Sequence, residues 1–564
     1  MNCIKFILVL IKCLIISSNI IQTNNLTSAL EQASPGDTIE LQSGEYSSVP
    51  YKLISGTENR RITIKPIDGA FVKFKGSNTK CIFELNEIAH VTIEGPFELM
   101  DSLCGIKAMD VSDIEIKGIK IYNMQQYGLV LSGENNEISN NEIYDCVQEN
   151  KSMVKKLTSG WKQCVTVMGK KYNSYYSKNI TFKNNNIRNS FGEGLYFQKC
   201  DGCSSILNNI TNCFSYNIYC YSSKNILIDR NIIRVNSDEY SSQVGNACGI
   251  GLSSENSKYD IIDNILIKNN IIIGSRIAIN FFQTGSSGYN NIKILYNTIW
   301  QISVTSLWFE KPSNIPTNCE LRNNIIYIYG WIADFYPKKS WTIGTNFYYN
   351  YPKIPVEYLD TDQKSLAVKN IDINSVFNNR KNNCNYDDKN IDINCLRPST
   401  STNISFNLFH GGSNPSINIY KDFSGCNRST NYPTIGAFEY YIRCTEYYEI
   451  DDLIIKFRIH YCTQVDQTVR LNGDFNNWDT NKTPIFTYEE NCFWSYLFYS
   501  IDESFEYKFV IFNGDKLSRW EQGENRNFNL NDLANAIKTS SKGIYENCNY
   551  DKEDNILTYQ CNWK

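Results

Sequence analysis

The chain has 564 residues, 13% aromatic and 20% charged, with 55 Lys and Arg against 59 Asp and Glu and a formal net charge of −4. That length exceeds what one compact core fills, so two domains or a solenoid are expected. No basic block occurs, which makes nucleic acid and anionic membrane surfaces poor partner candidates.

The first residues, MNCIKFILVLIKCLIISSNIIQ, give a short basic start, an apolar run and small residues at Ser17 and Ser18. This is the pattern of a secretory leader over residues 1–22, cleaved between Ser18 and Thr23; Lys12 interrupts the run that a spanning helix would need. No later stretch is long and apolar enough for a membrane span. Of 20 cysteines, Cys3 and Cys13 fall in the leader, leaving an even set to pair in an oxidising compartment. Cys384–Cys395 and Cys548–Cys561 are candidate local pairs that spacing alone does not settle. Cys200 and Cys203 form a C-x-x-C with no second pair or His at zinc spacing, so no metal and no cofactor is expected. Sequons at Asn25, Asn150, Asn179, Asn209, Asn403, Asn427 and Asn481 fit glycosylated surface loops.

Residues 23–440 repeat themselves. DIEIKGIKIYN from Asp113, NITFKNNNIRN from Asn179, NILIDRNIIRV from Asn225, NILIKNNIIIG from Asn264 and NIKILYNTIWQ from Asn291 share the unit N-I-x-I-x-x-N-x-I. A G-I/L-x-I/F run follows, and the whole returns every ~22 to 27 residues. Each unit holds short runs of period two broken by Asn or Gly, with no useful helical period. Such a unit cannot close a core alone. Stacked in parallel, its inward Ile, Leu and Phe form a continuous column, and Asn at equivalent corners can ladder along the axis. The expected fold class is all-β: a right-handed parallel β-helix followed by a small antiparallel β-sandwich.

Two loops, Cys146 to Lys178 and Asn236 to Asp263, interrupt the repeat; long insertions on a solenoid commonly wall a groove. Near them lie Glu193, Lys199, Asp201, Asp238, Glu239 and Arg276, for which solvated surface is the commoner role. Aligning the G-L-x-F units puts Glu193 level with Tyr127, Tyr216 and Cys248, and stacks Tyr196 on Tyr219 as an outer aromatic face for a glycan. At the solenoid ends, ALEQASPGDTIEL from Ala29 with Gly44-Glu-Tyr46 resembles the opening coil of pectate-lyase-like proteins. Asp422-Phe-Ser-Gly425 through Arg428 to Ile435-Gly-Ala-Phe-Glu439-Tyr440 resembles their closing segment.

After a linker over 441–450, residues 451–533 read as short strands rich in Val, Ile, Phe, Tyr and Trp, the pattern of a small β-sandwich; 534–564 is a polar tail without an assigned role. Trp478 and Trp520 stand beside polar turn residues, which favours exposed indoles. Gly473-Asp-Phe-Asn-Asn-Trp478, Trp494, Glu506-Tyr-Lys508-Phe and Trp520-Glu521-Gln-Gly523-Glu-Asn525-Arg526 resemble, in order, the motifs of family 20 carbohydrate-binding modules, the starch-binding domains. The loop before Trp478 is one or two residues short of that pattern. The resemblance implies a glucan site of Trp478, Lys508, Trp520, Glu521 and Asn525, with Trp494 left to packing or a minor second site. Two angled indoles suit the apolar face of glucose in a curved α-1,4 chain, while Lys, Glu and Asn supply donors and acceptors for vicinal hydroxyls.

The reaction classes of β-helix enzymes fit this chain poorly. Their lyases need a uronate C6 carboxylate, which starch lacks; polygalacturonase-type hydrolases need Gly-His-Gly and Arg-Ile-Lys, absent here. Catalytic residues are therefore unknown. The sequence leads to a secreted, monomeric carbohydrate-binding protein whose C-terminal module takes a starch- or glycogen-like α-glucan, with a β-helix of undetermined role. The alternative is a secreted polysaccharide-degrading enzyme, glycoside hydrolase or lyase, active in the β-helix groove and targeted by the starch-binding module. A purely adhesive surface protein is the third reading.

Overall fold

A computed structural model describes residues 18–47, 51–152, 162–173, 175–240, 247–254, 261–282, 288–328, 331–335, 340–349, 366–368, 377, 384–386, 388–396, 412, 415–426, 428, 434–438, 454–464, 467–474, 478–480, 483, 486–488, 491–498, 504–514, 516–529, 532–533, 542–545, 548–553 and 556–563. The leader up to Ser17, the linker over 441–450 and the sequons at Asn403, Asn427 and Asn481 lie outside the described residues. The chain divides into two compact units, one within residues 1–440 and one made of Tyr441–Lys564 with Asn418–Lys421 and Gly425–Thr430.

The first unit is a right-handed parallel β-helix of about 11 turns. Thr181 pairs with Ser204, Ile187 with Ile210 and Leu195 with Ile218, so each of three strand faces repeats one turn later in register. On one face Ile106, Leu129, Val165, Leu195, Ile218, Ile250, Ile279 and Leu307 follow one another, all fully buried. This column supplies the burial that no single turn could achieve.

The corners explain the asparagines. Asn140, Asn184, Asn269 and Asn323 adopt φ between 54° and 58°, a left-handed conformation that Asn tolerates better than most residues. The residue after each, Asn141, Asn185, Asn270 and Asn324, belongs to a buried ladder with Asn208, Asn231, Asn297 and Asn346. In every step the next Oδ1 accepts both the backbone N–H and the Nδ2–H of the previous rung, as from Asn185 to Asn208 at 2.8 and 3.0 Å. Gly133 marks another tight place: its φ is 141°, and a Cβ there would lie 1.7 Å from the Val111 carbonyl oxygen.

Several expectations are corrected. The solenoid begins before residue 23, because Ile20–Thr23 already pairs with Thr38–Leu41. A short helix, Leu26–Gln32, capped by Asn25, buries Leu26, Ala29 and Leu30 in the first turn; its seven residues are too few to show a period. Both expected loops hold a strand of the helix: Gln163–Val167 pairs with Leu129–Ser139 and Glu193–Gln198, and Ala247–Ser253 with Ser215–Tyr221 and Ile277–Phe282. Full pairing of the cysteines also fails. Cys81–Cys104, Cys384–Cys395, Cys462–Cys492 and Cys548–Cys561 are bonded, but eight others, Cys200 and Cys203 among them, are buried thiols. Seven line the solenoid core and Cys248 packs with Tyr196, Tyr216 and Tyr219, all as small apolar residues. Of the described sequons, Asn150 is buried, whereas Asn25, Asn179 and Asn209 are exposed.

The closing segment packs along the side of several late turns instead of across the end of the solenoid. Gly436 N–H donates to the Asn323 carbonyl and Ala437 N–H to Thr298 Oγ1, while Phe377, Leu396, Ile435 and Phe438 cover Trp300, Ile325 and Phe347. A strap at Ser416 closes over the buried pair Lys293 and Glu320, with Ser416 Oγ donating to Glu320 at 2.5 Å and Arg322 to the same carboxylate at 2.8 Å.

The second unit is a two-sheet sandwich, and it is not purely antiparallel. One sheet runs Thr487–Tyr488, Phe493–Phe498, Ile454–His460, Ile556–Asn562, Cys548–Glu553, Lys542–Tyr545; the other joins Gln467–Gly473, Ser504–Asn513 and Lys516–Trp520, with Arg526–Asn529 also on Ser504–Asn513. Ile454–His460 and Ile556–Asn562 pair in parallel. The expected tail is therefore part of the sandwich. Its Cys548, Tyr559 and Cys561 sit in the same core as Phe457, Leu471, Tyr507 and Phe528, and polar residues on the outer face hid that alternation.

Candidate functional site

The outer face of Ser504–Asn513 carries the site. Period-two alternation buries Phe505, Tyr507, Phe509 and Ile511 and turns Glu506 and Lys508 the other way. Trp520 ends the neighbouring strand opposite Val510. Trp478 arrives from the turn after Gln467–Gly473, with φ 57° and its N–H on the Gly473 carbonyl at 2.9 Å. The two indoles lie 6.2 Å apart between centroids, tilted by 36°, and both are half-exposed.

Polar groups frame this pair. Lys508 Nζ donates to the Gly523 carbonyl at 2.6 Å, and Gly523 holds φ 83°, a conformation that favours glycine. Asn525 is exposed and its Nδ2 donates to Glu506 Oε2 at 2.8 Å. Trp478 Nε1 donates to Asp474 Oδ1 at 2.8 Å, and the Glu506 N–H to Asp474 Oδ2 at 2.8 Å. Of the expected residues, Trp478 and Trp520 meet directly, while Lys508 and Asn525 are tied to Gly523 and Glu506 respectively.

Glu521 does not join them. Its carboxylate is buried, accepting Arg526 Nη2 at 2.5 Å and Nε at 3.0 Å, so it faces away from water. Burial works to lower the Arg526 pKa, but the paired carboxylate outweighs it and holds the guanidinium above its ordinary value. Trp-Glu adjacency placed the two side chains on opposite faces of one strand end, which the motif alone could not show. Trp494 is likewise a packing residue, 6% exposed, with Nε1 on the Tyr461 carbonyl. Asp474 and Glu506 were missed; the one available signal was that Glu506 shares Lys508's side of an alternating strand.

On the solenoid, Tyr196 stacks on Tyr219 at 5.2 Å as aligned, but both rings are nearly buried, packed with Tyr216 and Phe282. They form a satellite core and offer no open glycan platform. Glu193 is 4% exposed and accepts from Gln163 Nε2 at 3.2 Å. Asp201 pairs with Lys224 and Asn225. Glu239 is exposed, and the Asp238 side chain lies outside the described residues. Asp145 stands apart: burial pushes its carboxyl above the usual range, with Glu239 adding to the rise and Arg188 and Lys151 opposing it.

The two units define a class, a parallel β-solenoid joined to a carbohydrate-binding sandwich, and comparisons with known proteins agree. Residues 53–276 match the family described as Right handed beta helix region, and residues 452–540 match Starch binding domain, the family 20 carbohydrate-binding module. The C-terminal unit is such a module, extended by the strands after residue 540. No curated protein matches the chain. Similar solved structures include XylC in complex with xylose (11% identity, 75% of this chain and 98% of that one, TM-score 0.49) and pectate lyase Pel9A (14%, 76% and 98%, 0.41). An alginate lyase from Paenibacillus sp. str. FPU-7 is another (17%, 48% and 93%, 0.40). Among the described residues no helix is long and apolar enough to cross a membrane.

Proposed function

We propose that this chain is a secreted, monomeric carbohydrate-binding protein whose C-terminal module holds a starch- or glycogen-type α-glucan. The observation that carries this reading is the pair of half-exposed indoles, 6.2 Å apart and inclined by 36°. Each indole presents a face to the axial C–H groups of one glucose unit, and the tilt follows the bend of an α-1,4 chain, where a straight β-linked chain asks for coplanar rings. Lys508 and Asn525 flank the rings with a donor and an amide. The contact is shallow, so modest affinity is expected. Changing Trp478 and Trp520 together to Ala is expected to abolish retention of the full chain on insoluble starch while leaving the module's melting transition in place. Retention equal to wild type would overturn the assignment.

A second reading, catalysis on the solenoid, has one observation on its side: the raised Asp145 carboxyl beside Arg188, Lys151 and Glu239. Perturbed carboxyls gather at active sites as well as in structural ion pairs. Release of reducing ends from amylose, glycogen, pectin or alginate, lost in Asp145→Asn, would establish this reading; no release from any of the four would remove it.

A further inference from the structure

We propose that two carboxylates outside the expected set organise the glucan site: Asp474 as the positioning residue for Trp478, and Glu506 as the group that meets sugar hydroxyls where Glu521 was expected. This rests on the α-glucan reading of the Trp478–Trp520 face and names the residues that give the face its angle and its preference for uncharged sugar.

The turn from Gly473 to Trp478 is short against the starch-binding pattern, and Trp478 enters it in a left-handed conformation. Its backbone is held at both ends, the N–H by the Gly473 carbonyl and the carbonyl by Asn472 Nδ2 at 3.1 Å. The ring itself is held by Asp474. One oxygen of that carboxylate accepts the indole N–H and the other accepts the Glu506 N–H, each at 2.8 Å. A single side chain therefore ties the Trp478 ring to the strand that carries Lys508 and pairs with the Trp520 strand. Charge-assisted bonds of this kind are short and directional, which fixes the plane as well as the place of the ring.

Because Asp474 uses the only polar atom of the Trp478 indole, that ring offers a sugar its face alone. Polar recognition falls to its neighbours. Glu506 and Asn525 are exposed, Glu506 Oε2 accepts Asn525 Nδ2, and Glu506 lies on the same side of its strand as Lys508. Two acceptors and one ammonium suit a pair of vicinal hydroxyls. A uronate would bring a carboxylate against both Glu506 and Asp474, so the site takes neutral glucan and rejects pectin and alginate.

The test uses the full chain, with titration calorimetry against maltoheptaose, β-cyclodextrin and oligogalacturonate. The second readout is the circular-dichroism exciton couplet of the two indoles, isolated as the difference from Trp478→Phe. Asp474→Ala is expected to weaken glucan binding about tenfold and to erase the couplet without moving the melting transition. Should Asp474→Ala fail to fold, Asp474→Asn, whose amide cannot accept both N–H groups, is expected to reduce both signals. Glu506→Gln is expected to keep the couplet and lose about tenfold in affinity, and Glu521→Gln to lower the melting transition while its folded fraction binds normally. An unchanged couplet and affinity in Asp474→Ala overturns the first role; wild-type affinity in Glu506→Gln, or wild-type binding of oligogalacturonate, overturns the second. If the wild-type chain binds no glucan, the α-glucan reading and the Glu506 role fall together, and the couplet alone decides for or against Asp474 as the brace.

Discussion

At the scale of single residues, the sandwich sends adjacent residues of one motif to opposite sides of a sheet. Trp478, Lys508, Trp520 and Asn525 share a surface because period-two alternation and the adjoining turns leave them no other place. Glu521 follows Trp520 directly and so points to the other side, where Arg526 neutralises it inside the sandwich. Removing one partner of such a buried pair leaves a charge without compensation, at a typical cost of about 3 kcal/mol. Glu521→Gln is accordingly expected to destabilise the C-terminal unit by about that amount, read by calorimetry, whereas Glu524→Gln, on the exposed turn, should shift it by less than about 0.5 kcal/mol. Equal effects at the two positions would contradict the buried assignment.

At the scale of elements, the asparagine ladder was legible from sequence because its spacing repeats and only a corner demands that residue type. Of the strands inside the two expected loops, Ala247–Ser253 was half legible, since Cys248 falls level with Tyr216 in the aligned G-L-x-F units; Gln163–Val167 was not, because it has neither the N-I-x-I opening nor the glycine, and its place is set by the neighbouring turns to which it bonds. The ladder gives a quantitative expectation. Asn208→Ala leaves the backbone N–H and the Nδ2–H of Asn185 without their shared acceptor in a buried corner. At about 1–3 kcal/mol for each orphaned group, the solenoid should lose roughly 3 kcal/mol in urea unfolding; a loss under about 0.5 kcal/mol would mean water replaces the rung. The strap at Ser416 makes a pH-dependent contribution. Burial favours the protonated form of Glu320, but hydrogen bonds from Ser416 and Arg322 outweigh it and hold its carboxyl below the usual range. A depressed folded value means stability that is present above the unfolded pKa of about 4.3 and lost as pH falls through the folded one. Unfolding free energy of the wild-type solenoid should therefore fall more steeply below about pH 4 than that of Glu320→Gln. Parallel pH profiles would show that other carboxylates govern the acid limb.

At the scale of the whole molecule, the sequence yielded the solenoid, the sandwich and their order, since both rest on repeated patterns longer than any local ambiguity. It misplaced the end of the sandwich because its last strands carry alternating residues of mixed polarity (ILTYQCN), and only the parallel partner Ile454–His460 makes them central. The module has its own core, so a fragment of residues 447–564 is expected to fold and to bind starch, whereas 447–540 should remain unfolded. Circular dichroism and starch pull-down of the two pieces check this directly, and a folded, binding 447–540 would show that the last strands are an accessory.

That parallel partnership also bears on biosynthesis. Arg526 reaches the Asn562 carbonyl and Cys548, so the turn between Trp520 and Arg526 leans on strands 22 and 36 residues further along the chain. Solenoid turns can settle one after another during synthesis, but this face of the sandwich cannot assemble until those later strands have also left the ribosome. A chain released before them would carry a formed scaffold beside an unformed sandwich.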